Sequence, residues 1–284
     1  MAESASSTGL PVITKPPPTL PPLISGLLTL AGLAAAVYVV ATAPATRLSL
    51  WAGVSLAAWL ALSLAFTFLL TPRHFTLGFL AGLGALLIGW RVAALNDLRL
   101  VSWVLLPAFL AFVAQFFLCV LRDRRSTAPV MSEAGWTLTF IRLYIGFDMV
   151  PHFAEKLFGG PASFQADVAV FTQLGYPMPA FFVLLGGFCE FGIMVGFGLG
   201  LFTRAAAFGA ALYFLVATWS GGHFGNGFIW ANGGWEYSAL MMALYLAFAW
   251  IGAGAFSFDR ALLAGGRLPR VLVPLSVRRA RPRP

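Results

Sequence analysis

The chain is a succession of apolar runs, each about twenty residues long, separated by short stretches that hold most of the prolines and charges. That is the length an α-helix needs to cross the hydrocarbon of a bilayer. Eight runs stand at 22–43, 48–70, 74–94, 100–121, 136–158, 178–201, 203–220 and 235–253. They predict an all-α integral membrane protein of about eight transmembrane helices. Residues 1–21, MAESASSTGLPVITKPPPTLP, read as a flexible, Pro-rich tail. They lack the basic stretch that opens a signal peptide. The polar segment 122–135, RDRRSTAPVMSEAG, divides the runs four and four, and residues 262–284 form a basic tail.

Composition strengthens this picture. The chain is 60% hydrophobic and 10% charged, where a soluble domain carries about 25% charge. A net charge of +8 would suggest nucleic acid in a soluble protein. Here the arginines lie mainly between spans and in the tail, so they set topology and imply no nucleic-acid partner. With both termini cytoplasmic, the inner side holds thirteen basic residues: Lys15, Arg73, Arg122, Arg124, Arg125, Arg204, Arg260, Arg267, Arg270, Arg278, Arg279, Arg281 and Arg283. The outer side holds four: Arg47, Arg91, Arg99 and Lys156. This predicts an N-in, C-in protein of a bacterial inner membrane. Two cysteines, Cys119 and Cys189, stand far apart in apolar runs and read as packing residues. Their spacing supports neither thiol–disulfide chemistry nor a zinc or iron–sulfur site.

Buried charge is concentrated in the second half. The first four spans, an N-terminal bundle at 22–121, contain little beyond Arg91, which reads as a side chain reaching the outer interface. The fifth run, IRLYIGFDMVPHFAEKLF (141–158), carries Arg142, Asp148, His152, Glu155 and Lys156. On a continuous helix Asp148, His152, Glu155 and Lys156 share an arc of about 100°, with Arg142 roughly 40° beyond. Such a stripe faces a bundle interior or a water-filled cavity. Pro151, in its middle, predicts a kink. Glu190, in the sixth span, needs a counter-ion or a proton; Arg142 is the best candidate, as a fixed pair or as part of a proton-handling site. The last outer loop, SGGHFGNGFIWANGGWEYSAL (220–240), supplies His223, Glu236 and Tyr237. With His152, Glu155 and Lys156 these are expected to converge on one outward-facing polar pocket. An amphipathic stretch with Phe164, Val168, Val170, Phe171 and Leu174 is expected to roof it. Gly192, Gly196 and Gly200 form a row that suits close helix packing, and Arg204 reads as an inner interfacial residue.

The ordered set Arg142-Leu-x-x-Gly146, His152 to Lys156, Gly186-Gly187 with Glu190, Gly198-Leu-Gly200-Leu-x-Thr203-Arg204, Gly233-Gly234-x-Glu236-Tyr237 and Gly252-x-Gly254-x-x-Ser257-x-Asp259-Arg260 resembles the DoxX family over about 136–261. The resemblance implies a C-terminal DoxX-like four-helix bundle preceded by four extra helices. It also implies a link to membrane thiosulfate:quinone oxidoreductases or to thiol redox homeostasis. Two functions follow. One is a membrane subunit of a quinone-linked oxidoreductase. In it Glu190, His152 and Glu236 exchange protons, and Arg142, Asp148, Glu155, Lys156, His223 and Tyr237 line the pocket. Quinone is then the redox cofactor, nothing is bound covalently, and further membrane or periplasmic subunits are the partners, with the lipid bilayer around them. The alternative is a non-enzymatic scaffold or assembly subunit, or a small-solute transporter.

Overall fold

The computed structural model describes residues 13, 20–42, 48–264, 266, 269 and 272–276; among these every regular element is helical. Most of the N-terminal tail, Lys15 and Arg47, and nearly all of the basic tail after 264 lie outside the described residues. The first half forms α1 (Leu20–Thr42), α2 (Leu50–Ala65), α3 (Phe75–Leu95) and α4 (Arg99–Arg124). α2 runs on through a π-helical turn, Phe66–Leu70. The second half forms α5 (Glu133–Phe147), α6 (Met149–Leu157), α7 (Pro161–Gln173), α8 (Pro179–Ile193), α9 (Thr203–Ser220), α10 (Glu236–Ile251) and α11 (Phe258–Ala264). α8 also ends in a π-helical turn, Met194–Gly198. Ser49 and Ser132 begin α2 and α5 by accepting from the N–H groups of Ala52 (3.2 Å) and Gly135 (3.1 Å).

Five helices are long and apolar enough to cross a membrane: Pro21–Thr42, Leu50–Leu70, Phe75–Leu95, Arg99–Arg124 and Pro179–Gly198. The other three predicted spans are helical but fall short in length or composition. The run 136–158 is divided at Asp148, α9 has 18 residues but begins Thr-Arg and ends Trp-Ser, and α10 has 16 residues. The division has a local cause. Pro151 has no N–H to give the carbonyl one turn earlier, so the helical ladder is interrupted beside Asp148. Large apolar side chains cover the outside, with Leu50 83%, Trp219 74% and Trp103 70% exposed. A surface of that kind needs lipid as its solvent.

α3 holds the two halves together. It is the most enclosed of the five, 78% buried over its apolar window against 28–39% for the others. It packs on α2 and α4 and also on α6 and α11, so one apolar core runs through both halves. α7 lies against α6 and α8. We call the end where α3 and α6 finish the upper end.

Candidate functional site

Lys156, next to the last residue of α6, lies on that helix's buried face with Phe153 and Ala154. Its Nζ stands 3.1 Å from Glu190 Oε2 on α8, and both side chains are 8% exposed. The ammonium also donates to Glu190 Oε1 at 3.3 Å and to the His152 carbonyl at 2.8 Å. Tyr213, on α9, donates its hydroxyl to the same Glu190 oxygen at 2.7 Å. Gly187 makes this approach feasible: a Cβ there would come within 3.0 Å of Lys156 Cβ and of the Leu157 side chain.

The cluster extends outward. Glu155 Oε1 lies 3.6 Å from Lys156 Nζ, and its Oε2 lies 3.3 Å from Arg91 Nη2 on α3. Arg91 is therefore an ion-pair partner rather than a side chain reaching only for the interface. Asp167 joins from α7, within electrostatic range of Lys156, Glu155, Glu190 and His152. Its Oδ2 is buried and has no hydrogen-bond partner among the described residues. Burial pushes the Asp167 carboxyl above its ordinary range, and Lys156 partly opposes that shift. Trp51 of α2 ties the same end shut by donating to the Leu157 carbonyl at 2.8 Å.

The expected counter-ion is corrected: Arg142 does not pair with Glu190. Its side chain is completely buried at the lower end. There Nη1 donates to the carbonyls of Phe197 (2.9 Å) and Gly198 (2.6 Å), and Nη2 donates to Phe256 (2.7 Å). The π-helical turn that closes α8 presents two of these carbonyls. Beside them, Asp259 accepts from Phe202 N (2.7 Å), Thr203 N (2.9 Å) and Thr203 Oγ1 (2.8 Å), which begins α9. Arg142 and Asp259 together pin the α8–α9 turn to the segment after α10.

The single convergent pocket is also corrected. The five charges do not meet in one pocket. Arg142 is at the lower end, Glu155 and Lys156 are at the upper end, and the His152 side chain is exposed. Asp148 instead accepts a hydrogen bond from Tyr237 on α10. The other loop residues hold the loop itself. His223 stacks on Trp230 (ring centroids 5.5 Å apart, planes at 28°), and its Nδ1 lies 2.6 Å from the Gly233 carbonyl. Glu236 is exposed and accepts from Trp230 N at 3.1 Å. Trp230 in turn packs on Tyr237 at 5.1 Å.

Three smaller expectations also change. Gly192 faces open space, and Gly200 sits in a turn with φ +80°, so the glycine row is not one packing face. The close backbone crossing is between Gly146 and Gly198: a Cβ on Gly146 would fall 2.2 Å from Gly198 Cα. Arg204 donates to the carbonyls of Ala249 (2.9 Å) and Pro274 (2.8 Å), which makes it a tie within the lower end. Cys119 is buried but Cys189 is exposed.

No curated protein and no solved structure matches the chain. The resemblance seen over 136–261 has a counterpart in a family model that ends at the beginning of the last upper loop. Residues 137–223, from the first turns of α5 to His223, match the family model DoxX, with α1–α4 and α10 outside the matched residues.

Proposed function

We propose that this protein is the membrane subunit of a quinone-linked oxidoreductase of the thiosulfate:quinone type. It crosses a bacterial inner membrane eight times, with α5–α6, α9 and α10 completing the spans. Both termini are cytoplasmic and the upper end faces outward, as the thirteen-to-four basic bias favours. In the reaction two thiosulfate ions join through a new S–S bond and release two electrons; a quinone takes up those electrons and two protons to become a quinol.

The observation that carries this reading is the enclosed Lys156–Glu190–Tyr213 cluster, with Glu155, Arg91 and Asp167 around it. Ionisable groups inside a membrane bundle are costly to maintain, and where they persist they commonly serve proton or ion traffic. Glu190, between an ammonium and a phenol, holds or passes a proton. His152 and Glu236, both exposed at the upper end, exchange protons with water. Lys156 and Arg91 supply positive charge for an anionic donor. Asp148, Glu155, His223 and Tyr237 shape the polar surroundings. Arg142 moves out of the pocket in this reading and into the scaffold.

The non-enzymatic scaffold, or a solute transporter, has its own support: Lys156 and Glu190 are opposite charges in direct contact, as a structural pair would be. Thiosulfate-dependent quinone reduction in membranes separates the two, comparing wild type with Glu190→Gln at matched abundance. Activity in wild type and its loss in the stably inserted variant support the oxidoreductase. Activity equal in both leaves Glu190 a structural group, and activity absent from both supports the scaffold.

A further inference from the structure

A groove of about 510 Å³ opens between α3 and α4 on one side and α5 and α6 on the other. On α3 it runs from Phe79 to Ala94, a rise of roughly 20 Å. Phe117, Phe140 and Tyr144 frame it and are 49%, 50% and 69% exposed, so it is open to the lipid side. Its walls are aromatic and aliphatic, with Phe79, Trp90, Phe112 and Phe147 among them. Arg91 and Asp148 are the two charged residues that line it.

Those two residues constrain the occupant. The Arg91 guanidinium meets Glu155 through Nη2, but its buried Nε has no hydrogen-bond partner among the described residues. Asp148 holds the Tyr237 hydroxyl on one oxygen. A guanidinium with an unused donor asks for an acceptor oxygen, and a carboxylate asks for a donor. Both stand in the same groove, so a charged headgroup of either sign would meet one like charge. A neutral head suits both walls, accepting from Arg91 and, in its reduced form, donating to Asp148. Aromatic walls favour a flat ring and an apolar tail. The volume falls within the range of small-ligand sites, about 300–1,000 Å³, enough for a ring and the start of a chain whose remainder lies in lipid.

We propose that this groove binds an isoprenoid quinone, with its ring between Arg91 and Asp148 and its tail along Phe112, Phe116 and Phe140. This rests on the quinone-linked reading above and refines it. The site adjoins the charged cluster and shares Arg91 with it, and half of it is built by α3 and α4, outside the residues that match DoxX. Reduction places two electrons from the donor and two protons on the ring, turning its two carbonyls into hydroxyls. Protons reach it on one side past Glu155 and Arg91, on the other past Tyr237 and Asp148.

The test uses the full chain in detergent or nanodiscs with a photoreactive short-tail quinone, the labelled peptides being mapped by mass spectrometry. Labels are expected on α3–α6, displaced by decylubiquinone and not by phosphatidylglycerol. Val113→Trp and Leu87→Phe fill the groove without touching either charge. At least one of them, melting as the wild type does, is expected to lower labelling about tenfold. Labels confined to the upper loop, equal displacement by phosphatidylglycerol, or full labelling of a folded groove-filled variant would overturn the proposal. Labelling in the groove without thiosulfate-dependent reduction would keep the site and remove the oxidoreductase reading. Reduction that persists in a folded groove-filled variant would do the reverse.

Discussion

Lys156 on α6 and Glu190 on α8 meet at 3.1 Å, each with 8% of its side chain exposed, and Tyr213 on α9 closes on the same carboxylate. Three helices are tied at one point by groups that apolar surroundings disfavour. Removing one charge of such a pair strands the other and costs about 3–5 kcal/mol, whereas an apolar replacement of both is close to neutral. Lys156→Met and Glu190→Leu should each lower the denaturation midpoint sharply. The double variant should recover most of that loss. Chemical denaturation of the four proteins in detergent gives the coupling energy directly.

Arg142 makes a different kind of tie. One guanidinium serves three backbone carbonyls on two segments, and the point charge of a lysine does not reproduce that fork. Arg142→Lys should lose about 3 kcal/mol, the worth of one or two charge-assisted hydrogen bonds. It should appear as a reduced folded fraction on size-exclusion chromatography. Charge alone does not hold this point, so an unchanged folded fraction would remove the carbonyl cage as its cause.

Gly146 and Gly198 should tolerate no side chain between them. The clash is with backbone, which cannot swing aside: a Cβ on Gly146 lies 2.2 Å from Gly198 Cα and 2.6 Å from Gly198 N. Gly146→Ala should destabilise by about 1–3 kcal/mol. Gly192→Ala, with nothing within 4 Å of the added carbon, is the control and should melt close to wild type.

Asp167 predicts a pH dependence. Burial raises its carboxyl above the ordinary range, so the folded protein favours the protonated form. The stability it contributes is therefore largest below the usual carboxylate pKa. It falls as pH rises from there through the raised value, then levels off. Asp167→Asn should flatten the fall in stability that begins at about pH 4 and should be the more stable protein once that fall is complete. Denaturation midpoints across that fall compare the two.

Much of the helical layout is legible in the sequence, because apolar runs of membrane length have few other uses. The fifth run is legible only in part: Pro151 signals the interruption between Phe147 and Met149, but not that Arg142 is held by carbonyls at the lower end while Glu155 and Lys156 find partners at the upper end. The partner of Glu190 is not legible. Counting depth from span ends sets Glu190 near Arg142, yet α7 intervenes and α8 does not start level with the end of α6. Glu190, roughly three turns into α8, thus meets Lys156 at the end of α6. Arg91 reads as interfacial because its partner, Glu155, is 64 residues later. Tyr213 carries no signal, since a lone tyrosine in an apolar helix looks like packing. Asp167 carries a weak one, as the only charged residue of α7. The acceptors of Arg142 are backbone carbonyls, and no side-chain pattern announces them.

The most direct measurement is thiosulfate-dependent quinone reduction by the Lys156→Met/Glu190→Leu double variant beside wild type, in membranes with equal amounts of folded protein. This variant removes the ionisable pair while keeping its helices packed. If Glu190 handles protons, the rate should fall about a hundredfold, the usual worth of a general acid or base, with the fold intact. A double variant that reduces quinone at the wild-type rate would contradict that role and leave the pair a structural tie.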